Sequence, residues 1–230
     1  VSRAIIDSLA GIQADVPAGG DGAMSDDVTP SLSQKMLADI RAAEGSDGRL
    51  TTPDFSKDEI FPFEGEIVVR PVADLMLPEP PRNGEPGGGE CYACGVEDDE
   101  VLFVSDHWRL ADPGPLGVPV GVLLYPRVHA DLDGLPPERV AELGPLLVRV
   151  EAAVRSVSGI KRVHIYRFGD GGAHLHWWFF GRPEGLVQLR GSCLTLWDDV
   201  LPRRPADEWN ATLQTIVRSL EAAGGLTVDP

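Results

Sequence analysis

From residue 138 to residue 158, apolar side chains recur at Val140, Leu143, Leu147, Val150, Val154 and Val157, a 3,4,3,4,3 spacing. That period lines one face of a long helix. Strand-sized apolar runs flank it. Val101–Leu110 and Val118–Arg127 come before, joined by the turn-rich residues 111–117. Ile160–Phe168 and Ala173–Phe180 come after, joined by the tight connection Gly169-Asp170-Gly171-Gly172. Strands in runs, with one long helix between them, predict an α+β fold with a mainly antiparallel sheet. Gly144-Pro145 is expected to kink that helix or split it in two.

Outside this block the chain changes character. Residues 1–60 read as an N-terminal extension, partly disordered, and residues 61–230 as the folded domain. Residues 1–30 are rich in Gly, Ala and Asp, with a turn of helix expected at Ala4–Ile12. A better helix is expected near 31–44: Ser31 and Gln34 form a capping box, Leu32, Met36 and Ile40 share a face, and Gly45 closes it. Gly65–Val72 reads as a strand. Residues 77–89, LPEPPRNGEPGGG, exclude regular structure and mark a second boundary. Pro205–Ala223 is a final helix, with Trp209, Leu213, Ile216 and Leu220 on one face and Gly224 as its stop.

The formal charge of −16 repels a phosphate backbone, so general nucleic-acid binding is not expected. A small anion can still bind in a local Arg-lined pocket, and the 20 basic residues are mostly Arg, the better phosphate clamp. No apolar run reaches the roughly 18 residues of a membrane helix, so no membrane partner is expected. With no secretory signal legible at the N-terminus and three cysteines, a cytoplasmic location is expected.

The chemistry-bearing residues cluster in two short stretches. Cys91-Tyr-Ala-Cys94 spaces two thiols so that they can share one metal on a tight turn, but a tetrahedral zinc needs two more ligands. A redox pair is the competing reading; such pairs usually open a helix after a strand, whereas this one follows a Gly-rich loop. The second stretch is His174-Leu-His176-Trp-Trp178. On a strand, His174, His176 and Trp178 would point one way, and the glycines before them bring backbone N–H groups close enough to hold an anion. The plainer alternative is two core histidines on a half-buried strand.

In combination these elements resemble a known family. The order CxxC, a strand ending Leu123-Leu-Tyr-Pro-Arg-Val-His129, a long helix, then a strand with HxH is similar to the histidine-triad superfamily. It looks closest to the zinc-bearing branch that includes galactose-1-phosphate uridylyltransferase, and covers roughly residues 60–185. The resemblance implies a structural zinc held by Cys91, Cys94, His129 and His174. It also implies that His176 is the nucleophile, attacking the α-phosphorus of a nucleotide and passing it to water or another phosphate. The implied function is nucleotidyl transfer or phosphoanhydride hydrolysis on a nucleoside di- or polyphosphate or a nucleotide sugar. A zinc-stabilised nucleotide-binding module without turnover, and a structural zinc domain for protein interaction, are the alternatives. Family habit adds a homodimer.

Developing charge on phosphoryl oxygens needs donors. Those expected are the Gly171 and Gly172 amides, with Arg167 or Arg182. The third triad position, His or Gln in the family, is Trp178 here, and an indole offers one donor and no acceptor. Sliding the motif would make His174 the middle residue, but the zinc set needs His174 as a ligand, which leaves His176 as nucleophile. Of the other candidates, His107 and His164 read as structural, Asp198-Asp199 as a cap rather than a magnesium site, and Cys193 as a small buried hydrophobe.

Overall fold

The computed structural model of the chain describes residues 31–54 and 58–228. These fall into two compact units, 31–80 and 81–228, divided within the Pro/Gly stretch at 77–89. The helix turn expected at Ala4–Ile12 lies outside the described residues.

In the first unit, helix α1 (Leu32–Ala43) starts with the expected capping box. The Gln34 N–H donates to Ser31 Oγ and the Ser31 N–H to Gln34 Oε1, at 3.3 and 2.7 Å. No residue of α1 is buried. The strand expected at Gly65–Val72 does not form, and the backbone there is irregular. Alternation supplies a strand's side-chain pattern, but a ladder also needs a partner backbone, and no strand stands in this unit among the described residues.

The second unit is an α+β domain with a five-stranded antiparallel sheet. Its strands are β1 (Phe103–Val104), β2 (Trp108–Ala111), β3 (Val120–Pro126), β4 (Ile160–Tyr166) and β5 (Trp177–Pro183), in the order β1-β2-β3-β5-β4. The run expected as one strand at Val101–Leu110 is a hairpin, because Ser105 turns the chain: its Oγ accepts from the Trp108 and His107 N–H groups. Between β3 and β4 runs the long helix α3 (Pro137–Arg155), unbroken through Pro145. Its buried face carries Leu143, Leu146, Val150, Ala153 and Val154, while Val140 in the first turn is exposed.

Register decides which face each side chain takes. Leu110, Leu124 and Trp108 belong to one face with Val122 and Phe179, all completely or almost completely buried. That face looks onto α3, where the Trp108 indole N–H donates to Glu142 Oε2 at 2.6 Å. The last helix, α5 (Ala206–Ala222), buries Trp209, Leu213, Ile216 and Leu220, as the periodicity predicts. The opposite face carries Arg109, Tyr125, Trp178, Phe180, His164 and Tyr166. Part of it is covered by the chain leading into α4 (Leu194–Val200): the Tyr166 hydroxyl donates to the Gly191 carbonyl at 2.6 Å. Asp198 is fully buried there. It accepts from the Val118 N–H and pairs with Arg203, which makes it a structural anchor.

Candidate metal centre and histidine pair

Four side chains from three segments converge beside the end of β3. Cys91 and Cys94 bracket the single-turn helix α2 (Tyr92–Gly95), His129 follows β3, and His174 precedes β5; their ligand atoms all lie within 4.8 Å of one another. Cys94 Sγ is 3.2 Å from His129 Nδ1 and 3.5 Å from His174 Nδ1, and Cys91 Sγ is 3.4 Å from His174 Nδ1. A tetrahedral zinc with normal Zn–S and Zn–N bonds separates its sulfur and nitrogen ligands by roughly 3.5 Å. The donor set and its spacing fit a structural zinc.

Around the four ligands, backbone groups and charges hold them in place. His174 is buried, and its Nε2–H donates to the Pro126 carbonyl at 2.7 Å. A carbonyl can only accept, so Nε2 carries the proton and Nδ1 turns its lone pair to the metal position. Burial pushes the His174 pKa down, which keeps the imidazole neutral as a ligand requires. Burial, then the adjacent Cys91 sulfur, push the Cys94 thiol up to about 11, so two thiolates here call for a cation between them. Arg109 anchors the knuckle to the sheet, donating to the Ala93 carbonyl and, twice, to Asp98 Oδ1. Arg127 closes on the same carboxylate at 2.7 and 2.8 Å.

Gly84 lies inside the Pro/Gly stretch that sequence reasoning treated only as a boundary. Its φ is +90°, and a Cβ there would lie 2.7 Å from His129 Cε1 and 3.2 Å from Cys91 Cβ. Its neighbours tie that stretch to the loop before His174. The Asn83 N–H donates to the Gly171 carbonyl and the Ala173 N–H to the Asn83 carbonyl, a short parallel bridge. Arg82 reaches Asp131 Oδ2 at 2.7 Å and the Gly169 carbonyl at 2.8 Å, and Arg167 pairs with the other oxygen of Asp131. Burial raises the Asp131 carboxyl, but bonds from Arg82, the Leu132 amide and Arg167 outweigh it and bring its pKa down to about 2. Only Arg167 of this cluster was expected. Arg82 and Asp131 belong to irregular segments where no periodicity marks them.

Next to the metal ligand stands His176. Its Nδ1–H donates to the His174 carbonyl at 2.9 Å, which leaves the Nε2 lone pair without a partner among the described residues. The HxH stretch precedes β5 instead of lying on it, since β5 opens at Trp177. The Leu175 N–H is taken by the Ala130 carbonyl, so this segment is pinned to the chain just after His129.

No family model matches the chain, and no curated protein matches it. Solved structures do. A zinc-bound histidine triad family protein from Mycobacterium smegmatis is 22% identical over 54% of this chain and 86% of its own, with a TM-score of 0.39. A histidine triad nucleotide-binding protein from Sulfolobus tokodaii is 14% identical over 57% of this chain and 93% of its own, with a TM-score of 0.44. A uridylyltransferase is 24% identical over 57% of this chain and 45% of its own, also at 0.44.

The candidate site residues are brought together unevenly. The four metal ligands and His176 converge. The Gly171–Gly172 loop sits beside them, docked on Asn83. The Arg167 guanidinium is committed to Asp131. Trp178, which the resemblance would put in the third triad position, is 3% exposed and stacked on Phe180 at 5.2 Å, with its indole N–H buried and unpartnered. Arg182 is not brought to the site: five residues along β5 from Trp177, it stands roughly 16 Å away at the rise of a strand. Two plainer expectations also change. His107 is exposed in the β1–β2 turn, because Ser105 breaks the strand expected to hold it. His164 is half-buried on the edge strand β4, but its Nε2 has no partner.

Proposed function

We propose that the chain is a nucleotidyl transferase or nucleotide phosphoanhydride hydrolase that works through His176. The observation that carries the reading is the Nδ1–H bond to the His174 carbonyl. With Nδ1–H held by the carbonyl, Nε2 is the ring nitrogen left to act as nucleophile. Nε2 attacks the α-phosphorus of a nucleoside di- or polyphosphate or nucleotide sugar. The N–P bond forms, the P–O bond to the leaving group breaks, and the imidazolium charge is stabilised by the carbonyl at Nδ1. Water or a second phosphate then displaces the histidine. A zinc held by Cys91, Cys94, His129 and His174 would be structural: it would fix His174, whose carbonyl orients His176. The Gly171 and Gly172 amides are the proposed donors to the phosphoryl oxygens.

Trp178 favours a second reading. Packed into the core with its single donor buried, it supplies none of the polar contact that a His or Gln would. A nucleotide-binding module without turnover would carry such a residue at no cost.

The deciding experiment is a turnover screen of wild type beside His176→Ala, across nucleoside diphosphates, dinucleoside polyphosphates, nucleoside phosphoramidates and nucleotide sugars. Turnover in wild type, reduced at least ~10³-fold in the variant with an unchanged circular dichroism spectrum, is the expected result. Equal rates in both proteins would remove His176 from the chemistry. Binding without turnover in either would select the binding module.

A further inference from the structure

At the end of the sheet away from His174 and His176, two arginines stand opposite each other in register. Arg162 of β4 and Arg182 of β5 are direct register partners, so their side chains leave the same face of adjacent strands. Opposed residues in an antiparallel pair carry their Cβ atoms about 5 Å apart, and like charges so placed repel. Neither guanidinium has an ion-pair partner among the described residues. Arg162 donates to the Lys161 carbonyl at 3.0 Å, and Arg182 to the carbonyls of Pro183 and Leu186 at 3.1 and 3.2 Å. The nearby acid, Glu184, is held by Lys161 at 2.7 Å and feels Arg162 only through its field.

His164 adds to the corner. It follows Arg162 on the same face, and its Nε2 is buried without a partner. Three cationic or donor groups thus leave one face of two adjacent strands, and neither arginine is paired with a carboxylate, on a chain whose formal charge is −16. In so acidic a molecule carboxylates to neutralise an arginine pair are plentiful, and none is used here.

We propose that Arg162, Arg182 and His164 form a second anion site, for the phosphate group of a small phosphorylated compound or for phosphate itself. Two guanidinium forks on neighbouring strands can each present N–H groups to a different pair of oxygens of one tetrahedral dianion. The bound dianion would turn the repulsion between them into attraction through a shared partner. The site is independent of His176 and of the zinc, so it stands whether or not the proposed nucleotidyl chemistry does.

Thermal unfolding of the zinc-loaded full chain, with and without inorganic phosphate, tests this in wild type, Arg162→Gln, Arg182→Gln and the remote control Arg155→Gln. Phosphate at several times its dissociation constant is expected to raise the midpoint of wild type and control by about 2–4 °C. Each pair variant should lose most of that rise. Without phosphate, the pair variants should melt at or above the wild-type midpoint, because a like-charge contact has gone. The control subtracts the general stabilising effect of phosphate as a salt. Calorimetric titration with inorganic phosphate and with phenyl phosphate separates the sources. Comparable affinities assign the site to phosphate, and at least ~10-fold tighter binding of the ester assigns it to a phosphorylated metabolite. A rise that is the same in pair variants and control, or absent in wild type, overturns the proposal.

Discussion

The zinc position depends on a residue that is neither a ligand nor charged. Gly84 holds a positive φ and lies flat against the His129 ring and the Cys91 methylene. A side chain there meets two penalties together: the left-handed backbone that L-residues resist, and a contact inside van der Waals distance of a ligand. Gly84→Ala is therefore expected to displace His129 and weaken zinc binding by about 10–100-fold, the range typical for residues that orient ligands. Competition with a chromophoric chelator measures this directly. An unchanged zinc affinity would mean that the 82–89 loop yields freely and does not position the ring. The sequence names Gly84 only as one more breaker in a Pro/Gly run, because composition reports where regular structure stops and not what the irregular backbone wraps.

Among the elements, Asp131 joins three segments that are distant in the chain. Its carboxylate takes Arg82 from the loop before the knuckle, Arg167 from the end of β4, and the Leu132 amide that starts the next turn. Its folded pKa near 2 lies below the ordinary unfolded value near 3.9. A depressed carboxyl stabilises the fold above the unfolded pKa and loses that contribution as the pH falls through the folded one. Asp131→Asn keeps the shape and the turn cap but removes the charge, and should cost on the order of 2 kcal/mol at pH 7. By pH 3 the difference from wild type should shrink to about half. Urea unfolding at the two pH values checks this, and a difference independent of pH would remove the charge as its cause. Here the limits of the sequence are clear. The strands, the long helix and the last helix follow from apolar spacing, and the five chemistry-bearing residues from a motif order. The expected strand at Gly65–Val72 fails because pattern alone provides no partner. Placing His174 and His176 on β5 fails because Ala130 and Pro126 capture that segment before the ladder begins.

For the whole molecule, the metal and the core are built from different material. From Arg82 to Glu100 only Val96 is buried, so the knuckle adds almost nothing to the apolar core. The core itself is closed by β2, β3, β5, α3 and α5 around Trp108, Leu124, Leu146, Phe179 and Trp209, none of which is a ligand. Burial on that scale stabilises the domain without help from zinc, at roughly 1.5–3 kcal/mol for each large side chain removed from water. Besides a metal, contacts of Arg82, Asn83, Arg109 and Arg127 tie the knuckle to the sheet and its loops. Protein as purified is expected to hold about one zinc per chain, lowered by Cys91→Ser. Chelation should then open residues 82–100 to proteases while the near-ultraviolet signal of the buried tryptophans persists. Mass spectrometry of the first cleavage products locates the opening. Collapse of the tryptophan signal together with the metal would show instead that zinc closes the core itself, and that the knuckle cannot come loose from the sheet on its own.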